Sequence, residues 1–246
     1  MMALGPDEVH LWNVDVSGLV VAEARRDLVH AECNEADAIS LQQRRDDFIR
    51  QRASLRRLLS TYTGQKPNAL KFTRGAAGKP ALLDRQPQIE FNLSHSGTHT
   101  LIGVSSGRAI GVDVQVVRRG VRCLDLARRF FSHAERAYIE SVAPADIDRA
   151  FFDLWTLKEA WLKATGAGIS GGLDRFSVDP TADPLRLSCL DGQPDLPPWV
   201  LRRVPIDNET LAAVALQGNA KAVIRVGNWR PAESAPTAAA LRRSLA

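Results

Sequence analysis

The stretch Trp155-Thr156-Leu157-Lys158-Glu159-Ala160-Trp161-Leu162-Lys163 sets one carboxylate and two ammonium groups into a mostly apolar run. From Phe151 to Ala164 the apolar positions Phe151, Phe152, Leu154, Trp155, Leu157, Trp161 and Leu162 go nearly all round a helix, which predicts a helix buried on most sides rather than an amphipathic surface helix. A charge in such a helix must be paired or must hold something. Glu159 and Lys163 are four apart and share a face, with Lys158 alongside. An intrahelical ion pair of ~0.3–0.5 kcal/mol would account for them at an exposed site, and on the helix alone that reading and a functional one stand level.

A second acidic site shifts the balance. Ala109-Ile110-Gly111-Val112-Asp113-Val114 reads as a strand, and period-two alternation puts Asp113 and Gln115 on one side with Gly111, where the glycine gives room. Oxygen-bearing side chains gathered in this way suit a hard cation. Magnesium is held by one or two carboxylates, keeps several waters and takes further ligands from substrate phosphate. Asp113 and Glu159 suit it. An aspartate ending a strand is also common as a turn residue or helix cap.

Further upstream come Gly78-Lys79-Pro80 and Ile89-Glu90-Phe91-Asn92-Leu93-Ser94-His95-Ser96-Gly97. The ordered set of Gly-Lys-Pro, Phe-Asn-Leu-Ser-His-Ser, Gly-Val-Asp-Val-Gln, Arg129-Phe130-Phe131 with Glu135, and Trp-Thr-Leu-Lys-Glu-Ala-Trp-Leu-Lys resembles the 4′-phosphopantetheinyl transferases of the surfactin-synthetase-activating type. The five motifs fall in the right order over the middle third of the chain, with Gly166 and Gly168 closing the last helix.

The resemblance implies transfer of the phosphopantetheine arm of coenzyme A to a serine of an apo acyl- or peptidyl-carrier protein, with release of adenosine 3′,5′-bisphosphate. It implies Mg²⁺ on Asp113 and Glu159, Lys163 neutralising the phosphates with Lys158 as an accessory, and Glu159 or a metal-bound water as the base. Glu135 is expected near the pantetheine arm or the metal. Lys79 and Pro80 correspond to the adenine-side loop, Ser94 and His95 to phosphate contacts, and Arg45 and Arg52 to 3′-phosphate ligands. Many members carry an acid two residues after the aspartate; here that position is Gln115, expected to reach the metal through its carbonyl or a water. A lone histidine after a strand is more often structural, and only its companion motifs make His95 a ligand. A Mg-dependent phosphohydrolase on a nucleotide-like substrate is the alternative, but two-metal hydrolases need a denser carboxylate cluster than this one pair.

The net charge is +4, and the arginines are clustered. Arg44, Arg45, Arg50, Arg52, Arg56 and Arg57 lie on a helix predicted over 39–63, and Arg118, Arg119, Arg122, Arg128 and Arg129 follow the Asp113 strand. Such faces can mean nucleic acid; the resemblance favours the phosphates of coenzyme A and an acidic carrier, and no nucleic acid. Phe91, Phe130, Phe131 and Trp155 sit in core-like runs rather than as exposed stacking platforms. No apolar run approaches the ~20 residues of a membrane span, and Asp7, Glu8 and His10 interrupt any signal-like region, so a cytoplasmic monomer is expected. Cys33, Cys123 and Cys189 are odd in number and far apart, which argues against a disulfide framework or a zinc site.

Helix followed by strands occurs twice. The first half has a strand over 9–16, the arginine-rich helix and strands over 89–93, 100–104 and 109–114. The second has helices over 124–141 and 148–165 and strands over 176–178, 185–190, 199–204, 210–216 and 222–226. This predicts an α+β fold. The resemblance implies two pseudo-symmetric lobes, 1–117 and 118–230, each a small mostly antiparallel sheet packed with helices, and a site between them. Residues 231–246 are expected to form a mobile or weakly helical tail.

Overall fold

Regular structure begins with β1 (Glu8–Asp15), followed by α1 (Val21–Ala24), α2 (His30–Asp37) and α3 (Gln42–Thr63), the hairpin of β2 (Phe72–Arg74) and β3 (Pro80–Leu82), and then β4 (Ile89–Ser96), β5 (His99–Ser106) and β6 (Ile110–Val116). The second half contains α4 (Cys123–Phe130), α5 (His133–Ser141), α6 (Ile147–Thr165), β7 (Phe176–Asp179), β8 (Arg186–Cys189), β9 (Trp199–Arg203), β10 (Thr210–Gln217), β11 (Val223–Trp229) and β12 (Leu241–Leu245). The computed structural model describes residues 1–75, 78–84, 88–168, 172–189, 198–218 and 221–245, the last four by backbone alone. The predicted strand over 185–190 reaches one residue, 190, outside this set, as does residue 246 of the predicted tail. Among the described residues no helix is long and apolar enough to cross a membrane.

Local chemistry explains where the long helices stop. Gly64 and Gly166 end α3 and α6 in left-handed backbone, at φ 73° and 70°, where a side chain would be strained. The single helix expected over 124–141 is two helices. Ser132 caps α5: its hydroxyl accepts from Glu135 N, and the Glu135 carboxylate accepts from Ser132 N, a reciprocal box that starts a new helix.

Two sheets form the α+β core. Five strands run in the order β12-β11-β1-β5-β4, antiparallel except for the parallel pair β1 and β11, and three run antiparallel as β6-β10-β9. Alternation sorts the faces: Val9, Leu11 and Leu101 meet Val112, Val114 and Val214 between the sheets, while Trp12, Val14, Phe91 and Ile102 pack on Leu55, Leu58 and Leu59 of α3. On the far side, Leu157 and Ala160 of α6 pack with Ala213 and Ala215 of β10. The layers are therefore α3, five-stranded sheet, three-stranded sheet and α6. Strand pairing does not divide the chain at 117/118: β6 joins the three-stranded sheet, and β11 and β12 join the five-stranded one. Residues 241–245, expected in a tail without strand pattern, add an edge strand to β11.

The two sheets meet along β4 and β6, each the edge of its own sheet. Three side chains of β4 accept from the free N–H edge of β6: Asn92 Oδ1 from Val112 N at 2.9 Å, Ser94 Oγ from Val114 N at 3.4 Å and Ser96 Oγ from Val116 N at 3.1 Å. On the other side of β6, α6 lies directly on Gly111, where a Cβ would stand 2.1 Å from Ala160 O and 2.3 Å from Ala164 N. Gly111→Ala must therefore push helix and strand apart. We expect it to cost ~1–3 kcal/mol in urea unfolding, the range for overpacking; a variant as stable as the native protein would disprove this packing.

Candidate active site

Asp113, 1% exposed on β6, is the hub. Its Oδ1 accepts from Ser94 Oγ at 2.7 Å and from Lys163 Nζ at 2.6 Å, and its Oδ2 accepts from Gln115 Nε2 at 3.2 Å. Lys163 also donates to Ser94 Oγ at 2.8 Å. The Ser94 hydroxyl thus gives its one proton to Asp113 and fills two acceptor positions, with Lys163 Nζ and Val114 N. Gln115 points its amide nitrogen, not its carbonyl, at the aspartate.

Glu159 stands one helical turn before Lys163. It is 7% exposed, and its Oε1 is buried with no hydrogen-bond partner. Burial raises its pKa above the ordinary carboxylate value, the negative charge of Asp113 raises it further, and Lys163 opposes them. Among the described residues no three His, Cys, Asp or Glu side chains gather as a metal cluster. The acidic pair Asp113 and Glu159 is the candidate cation site.

Around this pair a cavity of about 540 Å³ opens across the edges of both sheets, lined by α3, β4, β6 and α6. Of the residues predicted from sequence, Pro80, Ser94, His95, Arg52, Asp113, Gln115, Glu159 and Lys163 line it. His95 lies on the α3 face of β4, exposed at the cavity. Its pKa is lowered, first by the protein that displaces water from part of the ring and then by Lys163, against the pull of Asp47 and Asp113. Arg52 has its guanidinium 5.1 Å from the centre of the Phe48 ring. Arg45, about two helical turns before Arg52, does not line the cavity. Sequence reading did not nominate Phe48, Gln51, Leu55, Asn92, Leu93 and Trp155 as cavity residues. For Phe48, Gln51 and Leu55 the signal was their spacing from Arg52 on one helix face.

Three expectations are corrected. Lys79 turns away from the cavity and donates to Ile110 O at 2.9 Å and Ala164 O at 3.0 Å. Lys158 and Glu135 have fully buried side chains and bind one another, with Lys158 Nζ 2.7 and 2.9 Å from the two carboxylate oxygens and 2.6 Å from Phe176 O. Glu135 also accepts from Val178 N at 2.8 Å, so both charges are used inside the second half. The reason is helical angle: Lys158 is one residue from Glu159 and faces about 100° away. Two arginines of the basic helix are likewise structural. Arg56, 1% exposed, binds Glu32 and the carbonyls of Pro67 and Leu70, and Arg57 binds Asp27 and Pro231 O. Arg118, Arg119, Arg122, Arg128 and Arg129 are all exposed. The three cysteines are free thiols.

Two outcomes follow from these environments. Lys158→Met leaves the Glu135 charge buried and alone, so it should cost about 3–5 kcal/mol, and adding Glu135→Gln should restore part of that loss; additive losses in urea titrations would argue against the pair. For Glu159 the folded pKa lies above the unfolded one, so the native protein loses stability as pH rises through that window while a glutamine does not. In chelator, Glu159→Gln should match the native protein at low pH and exceed it increasingly as pH rises. A stability difference independent of pH would rule out the buried, proton-binding carboxylate.

Residues 109–215 match the family model described as the 4′-phosphopantetheinyl transferase superfamily. The chain is similar to the 4′-phosphopantetheinyl transferase HetI of Nostoc sp., 34% identical over 222 residues that cover 88% of this chain and 91% of that one. A Synechocystis protein provisionally assigned the same activity is 41% identical over 160 residues, 65% of this chain and 64% of its own length. Sfp of Bacillus subtilis, also a 4′-phosphopantetheinyl transferase, is 34% identical over 109 residues, 44% of this chain and 47% of Sfp, so that match spans about half of the relative.

Proposed function

Since the chain belongs to the 4′-phosphopantetheinyl transferase superfamily, we propose that its cavity transfers the 4′-phosphopantetheine arm of coenzyme A to a serine of an apo acyl- or peptidyl-carrier protein. The products are the holo carrier and adenosine 3′,5′-bisphosphate. The observation that carries the reading is that the hydrogen-bonded cluster of Asp113, Ser94 and Lys163 lines the same cavity as Glu159, a buried carboxylate with one partnerless oxygen. The phosphohydrolase alternative has nothing to favour it, since the matched relatives are transferases.

In the reaction the carrier's serine oxygen bonds to the β-phosphorus of the coenzyme A pyrophosphate. The bond from that phosphorus to the bridging oxygen breaks, and the serine proton must leave. Glu159 suits the base, because burial and Asp113 already favour its protonated form and the cavity gives it access. Lys163, 30% exposed, is the ammonium best placed to turn from Asp113 toward phosphate. His95 of β4 and Arg52 of α3 supply further donors, with Phe48 and Leu55 lining the same cavity.

The chemistry of the acidic pair fits Mg²⁺: Glu159 has an orphaned oxygen and lies within the electrostatic reach of the Asp113 carboxylate, and both are hard donors. Asp113 and Glu159 would hold the ion directly. Gln115, whose amide now donates to Asp113, would reach it through a water or after an amide flip. When bound, the ion would supply charge neutralisation on the pyrophosphate. The reading is of a cytoplasmic monomer without nucleic-acid or membrane partners, for which three free thiols suit a reducing compartment. The exposed arginines over 118–129 suit an acidic carrier surface.

Fluorescent coenzyme A incubated with an apo carrier domain tests the proposal. The native protein should label the carrier, and Asp113→Ala and Glu159→Gln should each lower the rate over a hundredfold, equivalent to ~3 kcal/mol of transition-state stabilisation. A labelling-competent Asp113→Ala would remove that residue from the machinery, and a native protein that hydrolyses coenzyme A without labelling would favour the hydrolase.

A further inference from the structure

Behind the cavity one ammonium ties three elements together. Lys79 Nζ donates to Ile110 O, at the first residue of β6, and to Ala164 O, in the last turn of α6. Its own backbone belongs to the turn between β2 and β3, where Gly75 N donates to Lys79 O and Gly78 N to Gly75 O, with Gly78 at φ 82°. The next residue, Pro80, lines the cavity. The side chain also packs along the helix end, its Cδ 3.8 Å from where a Cβ on Gly166 would stand. Burial lowers the pKa of this ammonium, and its two carbonyl partners, one of them at the end of α6 where helical partners run out, hold it in place.

The surface that this lysine bridges is smooth. At Gly111 the helix rests on bare backbone, with Ala160 and Ala164 as its own contact residues, so no side-chain knob opposes sliding of α6 along β6. The bond from Lys163 to Asp113 does oppose it, but that bond must open if Lys163 is to meet phosphate. Lys79 is tied to both elements by bonds that the reaction leaves alone. Both of those bonds sit at the ends of the elements that carry the site: Ile110 is three residues before Asp113, and Ala164 directly follows Lys163.

We infer that Lys79 is a positioning residue for the transfer, holding the register of α6 on β6 and thereby the spacing of Glu159 and Lys163 from Asp113, and that its ammonium is not a ligand of coenzyme A. This inference rests on the transferase reading. It reassigns the lysine that the family resemblance gave to the adenine end of the substrate.

The two roles separate in kinetics and in binding. A positioning residue should act on turnover, because reacting groups displaced by a fraction of an ångström lose rate while the bound substrate keeps its contacts. Lys79→Met should lower kcat for carrier labelling by about tenfold or more, with KM for coenzyme A and its calorimetric Kd, measured without carrier, changed less than about threefold. Lys79→Arg, whose fork can still donate to two carbonyls, should recover most of kcat. A Kd raised about tenfold with kcat unchanged would overturn the inference and return Lys79 to the substrate; so would an unchanged kcat in a folded Lys79→Met protein. If Lys79→Met gives no folded protein by circular dichroism, the same split is read on Lys79→Gln. Should the native protein label no carrier, the transferase reading itself falls, and calorimetry with coenzyme A alone still decides whether Lys79 is a ligand.

Discussion

The seam between β4 and β6 is the constraint on which the rest depends. β6 pairs with β10 on one side only, so the N–H groups of Val112, Val114 and Val116 face an edge that is covered by β4 of the other sheet. A buried N–H without a partner costs about 1–3 kcal/mol. Alternate side chains of β4 remove that cost, because residues two apart recur at about 6.8 Å on each strand and three acceptors can meet three donors in step. Asn92, Ser94 and Ser96 are short enough to bring the two backbones close without a ladder of their own, and a bulky apolar residue at any of these positions would hold the sheets apart.

The site inherits its precision from that seam. Ser94 is the middle acceptor of the three and also the hydroxyl bonded to Asp113 and Lys163, so the residue that joins the sheets also orients the central carboxylate. Asp113 sits on the strand held by the seam, and α6 is pressed against the same strand at Gly111. Each half alone would expose part of this arrangement: the first holds Ser94 and His95, the second Glu159 and Lys163. A pair of like charges at Asp113 and Glu159 is tolerated with Lys163 beside it, which keeps the cost of burying both within what the fold can carry.

Much of this was legible in the residues. Helix α6 was readable because its apolar positions leave few faces free, and Asp113 was readable because strand alternation set it opposite two valines. The pairing of strands was less accessible. Nothing in the sequence of β11 says that it runs parallel to β1, and the 231–246 segment has too little alternation to mark β12 as an edge strand. Lys158 and Glu135 were misassigned because a motif records which residues occur together, not which way they point. The Ser132 to Glu135 spacing of a capping box was in plain view and would have tied Glu135 to a helix start.

The contrast between the two lysines of α6 shows how one helix serves both stability and chemistry. Lys158 is closed off completely, with its protons given to Glu135 and Phe176 O, and its ammonium near the ring faces of Phe131 and Phe176. Lys163 is five residues on, about 140° further round the helix, and keeps part of its surface in the cavity. The sealed pair is fully used by its partners inside the fold; the open one is held by a hydroxyl and a carboxylate and keeps surface toward the cavity. Burial thus decides which charges are spent on the fold and which remain available to a substrate, and it does so through angle around the helix rather than through residue type.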